Sequence, residues 1–191
     1  MTASLHLSWQ GPFSWPDYES ISGLPPLPRE SGLYLWTFQG KTGFVGYCAG
    51  ITRRPFPQRL KEHTRKYLDG QYTVLDPFSA QKGERKEVWH GWSYARGRRS
   101  EFFARKAEIT FAVHLQLAAF RVLVTEVENA PRILERLEAR IMKLLYDQPA
   151  PYCNLPDQGM RLAPTRKDEA SIVVENTYPA PLLGCPRVYE L

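Results

Sequence analysis

The sequence predicts an α+β fold: a small central antiparallel three-stranded sheet flanked by helices, with an inserted helical segment and N- and C-terminal extensions. Three observations carry this expectation. Residues 33–38 (LYLWTF) and 44–49 (FVGYCA) are aliphatic and aromatic runs separated by the polar turn Gln39-Gly40-Lys41-Thr42-Gly43, the pattern of a hairpin. Residues 121–127 (RVLVTEV) form a third strand pattern. Helical patterns follow the hairpin and the third strand, one at Phe56–Leu68 and one at 131–147. The 191 residues are enough for one domain with extensions.

In chain order, residues 1–31 are rich in Trp, Pro and Ser, and the repeated prolines forbid regular helix. They read as an irregular arm whose Trp9, Phe13, Trp15 and Tyr18 pack on the core. The 32–155 core follows. Gly46 and Gly50 weaken a strand interior, so they imply a bulge or a close backbone approach. Pro55 and Pro57 suit the start of the first long helix, and Asp69-Gly70 stops it. An insertion spans about 77–117: polar loop carrying Trp89, His90 and Trp92, then a helix from Ser100 to Leu117 with Phe103, Ala107, Phe111 and His114 aligned. His114 reads there as a core histidine. Asn129 is placed to cap the last helix, and the 156–191 extension packs on the core with a strand at 171–175.

Hydrophobic content of 43% with a mean hydropathy of -0.41 and no long apolar run excludes a membrane-spanning helix. The opening MTASLHLSWQGPFSW lacks the basic and apolar segments of a secretory signal. Cys48, Cys153 and Cys185 form no CxxC pair, so neither a disulfide framework nor a zinc site is expected, and the cytoplasm is the expected location. A net charge of +5 fits a polyanionic partner. The charge is clustered: Arg53, Arg54, Arg59, Lys61, Arg65 and Lys66 surround Glu62 alone, and Arg96, Arg98 and Arg99 form a second group.

Arg59 and His63 are four apart and share a helix face, which two strand tyrosines, Tyr34 and Tyr47, can meet. That combination suits an anion. At 100° per residue, Glu138 falls between Leu145 and Met142, at the edge of the apolar stripe of Ile133, Leu134, Leu137, Ile141 and Leu144. A carboxylate there is partly desolvated, which raises its pKa unless a cation offsets the cost.

Gly32-Leu33-Tyr34, Phe44-Val45-Gly46, Arg59 with His63, Glu138 and Asn154 resemble the GIY-YIG nuclease superfamily in order and element type over residues 32–154. The resemblance implies phosphodiester hydrolysis with one Mg²⁺ or Mn²⁺ ion on Glu138 and Arg59 on a phosphate oxygen. It places His63 against a tyrosine or the phosphate, has Asn154 orient the site, and makes a tyrosine the general base. The expected partner is nucleic acid, DNA ahead of RNA, contacted by Arg53, Arg54, Lys61, Arg96, Arg98 and Arg99; no membrane is expected. Phe44 departs from the family pattern by standing where a tyrosine is expected. Tyr47 can replace it only if a bulge turns that side chain inward; otherwise Tyr34 is the only base. Moving the motif to Cys48-Ala49-Gly50 supplies no aromatic. The alternative reading is a nucleic-acid-binding module on the same fold, its chemistry lost with the second tyrosine.

Overall fold

The computed structural model describes residues 3–127 and 130–191; the cap expected at Asn129 lies outside them. The N-terminal arm is more regular than expected. It contains strands β1 (Ala3–Ser8) and β2 (Gln10–Phe13), then a single helical turn, α1 (Glu19–Ser22). The hairpin strands are β3 (Gly32–Gln39) and β4 (Phe44–Thr52), the second running three residues past its expected end, and α2 occupies Phe56–Leu68. Strand β5 (Val74–Leu75) follows, and the inserted segment then holds α3 (Pro77–Ala80), β6 (Glu87–Trp89), a 3₁₀ turn at Tyr94–Gly97, α4 (Arg99–Ala104) and α5 (Lys106–Ala119). The single helix expected from Ser100 is therefore broken at Arg105. Strand β7 (Phe120–Glu126), helix α6 (Pro131–Tyr146), a 3₁₀ turn at Tyr152–Asn154 and strands β8 (Ile172–Thr177), β9 (Leu182–Leu183) and β10 (Val188–Glu190) complete the chain.

The fold is mixed α+β, but the expected three-stranded antiparallel sheet is corrected to a five-stranded mixed sheet in the order β2-β7-β3-β4-β9. The antiparallel β7-β3-β4 centre gains β2 on one side and the parallel β9 on the other. The physical reason is the unpaired row of N–H and C=O groups that any sheet edge presents. The arm and the extension each supply a strand to cover one. Pro12 is tolerated in β2 because that strand is an edge. The chain ends also pair with each other, β1 parallel to β8 and β8 antiparallel to β10, as a second sheet.

The central sheet separates two cores. On one face Trp15, Trp36, Phe38 and Phe120 pack with Phe56, Leu60 and Tyr67 of α2 and Ile109, Val113 and Leu117 of α5. On the other, Leu33, Leu35 and Phe44 meet Leu134, Leu137, Ile141 and Leu145 of α6, which also receive Leu7, Val174 and Tyr189 from the terminal sheet. Trp9, Trp15 and Tyr18 are buried as expected. His114 is not a core residue: it is exposed, with Nδ1 2.6 Å from the Tyr18 hydroxyl. Phe103 and Phe111 likewise face outward, while Ile109, Ala112, Val113, Gln116 and Leu117 are inside. Helix α5 is apolar over much of its circumference, so hydrophobic period cannot select its buried face.

Candidate active site

Strand β9 pairs only with Phe44 and Val45, so β4 beyond Gly46 has no strand on its outer side. Side chains and a loop satisfy that edge instead. The Tyr47 carbonyl accepts from the Asp157 N–H at 2.9 Å, and the Ala49 N–H points at Met142 Sδ at 3.1 Å. Leu137, Ile141 and Leu145 pack α6 onto β4, which brings Glu138, at the margin of that apolar stripe, to the open edge. Helix α2 reaches the same edge from the other face of the sheet. The result is a cavity of about 170 Å³ lined by Tyr34, Trp36, Cys48, Arg59, His63 and Glu138, with Tyr72, Trp92, Asp157 and Arg161 farther along its wall.

The hydrogen bonding inside is directional. His63, 6% exposed, places Nε2 2.9 Å from the Tyr34 hydroxyl and Nδ1 3.1 Å from the Tyr72 hydroxyl. A neutral imidazole has one donor and one acceptor nitrogen, so one of these hydroxyls donates to His63 and the other accepts from it. The Arg59 charge acts on the Tyr34 oxygen from the same cavity. Burial, then the charges of Arg59, Arg54 and Lys66, push the His63 pKa down to about 3, which keeps the ring neutral. Burial also raises Tyr34 well above the usual phenol range, with Arg59 opposing. The Trp36 ring meets His63 edge-on at 4.8 Å and lies parallel to Tyr34 at 5.7 Å. Its indole N–H is buried without a partner among the described residues, a donor whose desolvation is uncompensated.

Glu138 makes no side-chain ion pair among the described residues; on α6 it is Glu135 that bonds Arg132. Burial pushes Glu138 up to about 7, with the Ile51 amide and Arg59 pulling the other way. No group of three or more His, Cys, Asp or Glu able to hold a metal occurs among the described residues. Glu138 could contribute a single carboxylate to a hard cation, which would then have to keep its waters or take ligands from a bound anion. Mg²⁺ is commonly held this way.

The bulge implied by the glycines is real. Trp36 pairs with Cys48 and Thr37 with Gly46, so Tyr47 is the extra residue and turns toward the α2 side. It lines the cavity there with Tyr34, its ring packed against Phe38 and Phe120, and burial raises its hydroxyl well above the usual phenol range. Phe44 packs against α6 and does not line the cavity. The missing hydroxyl at Phe44 therefore takes nothing from the site. The segment facing Tyr34 is Cys48-Ala49-Gly50: Gly50 lies directly beneath the Tyr34 ring, where any Cβ would collide with it, and Cys48 lines the cavity. Burial holds the Cys48 thiol well above its usual range, so it is not a thiolate.

Asn154 is not brought to the site. It is exposed, and Arg85 Nη1 pins the carbonyls of Leu155 and Pro156 at 3.0 Å, directing the chain past it. Asp157, three residues on and 5% exposed, reaches the cavity instead and accepts from Trp92 Nε1 at 2.9 Å. Asp157 and Tyr72 are not marked by any periodic pattern, because they sit in loops; the Pro-Asp-x-Gly turn at 156–159 is the one local signal. Among the cations, Arg53 and Arg54 border a second hollow beside Arg59. Arg54 also makes a two-pronged bond to Glu62 at 2.5 and 2.8 Å. Lys61 is held away by Asp17 at 2.8 Å. Arg96 and Arg99 line a groove on the other side, shared with Tyr72 and Trp92, and Arg98 is tied to Glu101.

No helix among the described residues is long and apolar enough to cross a membrane, and all three cysteines are free. No family model, curated protein or solved structure matches the chain.

Proposed function

We propose that this chain is a cytoplasmic, metal-dependent endonuclease of the GIY-YIG type that hydrolyses phosphodiester bonds in DNA. The observation that supports this reading is the meeting of Tyr34, Arg59, His63 and Glu138 around one cavity, although they come from β3, α2 and α6. Glu138 would hold one Mg²⁺ or Mn²⁺ ion, whose chemistry when bound is to polarise the scissile phosphate and stabilise the leaving oxygen. Arg59 holds a non-bridging oxygen and offsets the charge that builds on it.

Tyr34 and His63 handle the proton. As the water oxygen bonds to phosphorus and the bond to the leaving oxygen breaks, the Tyr34 oxygen takes the water proton while its own proton passes to His63 Nε2. The 2.9 Å contact already aligns that transfer. This relay never requires a free phenolate, which burial disfavours. His63 is a weak acceptor in the free site partly because Arg59 is close; a bound phosphate neutralises Arg59 and makes the imidazole more basic. The relay uses the tautomer with its hydrogen on Nδ1, for which the Tyr72 hydroxyl at 3.1 Å is a ready acceptor.

The test is incubation of supercoiled plasmid with the protein and Mg²⁺ or Mn²⁺. The expected outcome is nicking that falls by at least about 100-fold in Glu138→Ala, the scale for losing one charge-stabilising group. Cleavage that survives the substitution overturns the assignment.

A further inference from the structure

We infer that the groove beside the catalytic cavity binds an unpaired nucleic-acid strand, so that the substrate carries a single-stranded segment next to the scissile phosphate. This rests on the proposed function and adds a substrate class to it. The groove encloses about 980 Å³ between the end of α2 and the inserted segment that carries the 3₁₀ turn and α4. It is not a separate site: Tyr72 and Trp92 line both it and the catalytic cavity. A chain lying in the groove is therefore delivered to the residues that surround Glu138.

Two kinds of side chain make up its walls. Arg96, Arg99 and Lys106 supply cations, and none has an acidic partner among the described residues. Their neighbours Arg98 and Arg105 are paired, at 3.0 Å with Glu101 and 2.8 Å with Glu108. Unpaired cations grouped along a concavity fit a phosphate backbone, whose binding is driven by release of counterions. Asp69, the one acid of the lining, stands at the α2 end of the groove.

Aromatic rings supply the second feature. Phe103 is 56% exposed, an unusual setting for a large apolar ring, and Arg99 and Lys106 approach its face at 5.9 and 6.0 Å. Trp92 is packed between Tyr72, at 4.9 Å, and Gly159, with Nε1 bonded to Asp157; it forms the fixed wall between groove and cavity and leaves Phe103 as the open ring. Base faces are open to stacking only when a strand is unpaired, and a cationic groove with aromatic platforms is how single strands are held without sequence reading. A duplex offers phosphates alone and leaves Phe103 without a partner.

The test uses the Glu138→Gln protein in EDTA, so that binding is read apart from cleavage. Fluorescence anisotropy compares labelled oligothymidine and oligouridine of about 15 nucleotides with a duplex of the same length, across a salt series. The expected result is a single strand bound at least about tenfold tighter than duplex, with the oligothymidine and oligouridine arms showing which sugar is preferred. Replacing Arg96, Arg99 and Lys106 together by Ala lowers the salt slope by about 2, at ~0.7 per lost phosphate contact. Phe103→Ala weakens binding about tenfold and leaves the slope unchanged; because that ring is exposed, its loss does not endanger folding. Equal affinity for duplex and single strand, or an unchanged slope in the triple variant, overturns the inference. Strand binding in the groove with no cleavage by the wild-type chain overturns the nuclease reading and leaves the groove standing. Cleavage with a strand affinity indifferent to the groove substitutions does the reverse.

Discussion

Glu138 sets stability against activity. Its carboxyl titrates near 7 in the folded chain, raised by burial, and near 4.3 once unfolded. Between those values the folded state keeps a proton that the unfolded state has released. The contribution of this group to stability therefore falls as pH rises from about 4 to about 7, and stays low above that. Glu138→Gln removes the penalty. In chelator at pH 8 the variant is expected to be more stable than wild type by ~2 kcal/mol, less than the whole shift because the carboxylate is not fully desolvated. At pH 4 the two are expected to have equal urea midpoints. His63, with its depressed pKa, destabilises both proteins as pH falls below about 6.5, so the difference between them isolates Glu138. Adding Mg²⁺ is expected to raise the wild-type midpoint and not that of the variant. Equal midpoints at pH 8 would show a carboxylate in free contact with water, which has no need of a cation.

At the scale of the element, β4 does three things at once: it pairs with β3, carries a bulge, and leaves an edge open for α2 and α6. Gly50 is essential to the first of these. A Cβ there would enter the Tyr34 ring, and the ring cannot retreat because Trp36 lies parallel to it and Phe56 meets it edge-on at 6.5 Å. Gly50→Ala is expected to cost ~2 kcal/mol, in the range for overpacking, and to abolish nicking through displacement of the Tyr34 hydroxyl from His63. A variant with an unchanged thermal midpoint and full activity would show that the strand yields instead. Sequence patterns revealed β3, β4, α2, β7 and α6 because each carries a period or a turn that neighbouring residues reinforce. Helix α2 was legible to the residue, from Pro55 to Asp69, and the Arg59, His63 and Glu138 side chains came with their helices. The register of the second motif was not legible. Whether Phe44 or Cys48 faces Tyr34 depends on one extra residue at Tyr47, and a one-residue slip moves every later side chain to the other face. Asn154 lies outside the cavity for a related reason: after Pro149 and Pro151 no period remains, and the path is set by Arg85 reaching across from the insertion.

At the scale of the whole molecule, the arm and the extension share sheets with the segment between them. Residues 32–155 read from sequence as a domain preceded by an arm and followed by an extension packed on it. Both flanking segments contribute strands. Strand β2 of the arm closes one edge of the central sheet and β9 of the extension closes part of the other. Strands β1 and β8 pair over six positions, from Ala3 with Ile172 to Ser8 with Thr177, and join the two ends of the chain. Their inward residues Leu7 and Val174, with Trp9 and Tyr189, join the apolar cluster that α6 makes with the central sheet. Arg132 and Glu169 clamp the same helix to the start of β8. A fragment of residues 32–155 would expose part of that cluster, open both sheet edges, and lose Trp15 and Tyr18 from the α2 and α5 side. Edges and apolar surface of that kind drive association. The fragment is expected to be insoluble or to lack dispersed amide resonances. Adding back residues 1–31 alone is expected to leave α6 uncovered, because β1 would have no β8 to pair with. Only the chain with both ends should show cooperative unfolding. A soluble 32–155 fragment with a dispersed spectrum and a single cooperative transition would mean that the middle segment is an independent domain. Glu138 would then owe its position to β4 alone and not to the terminal sheet.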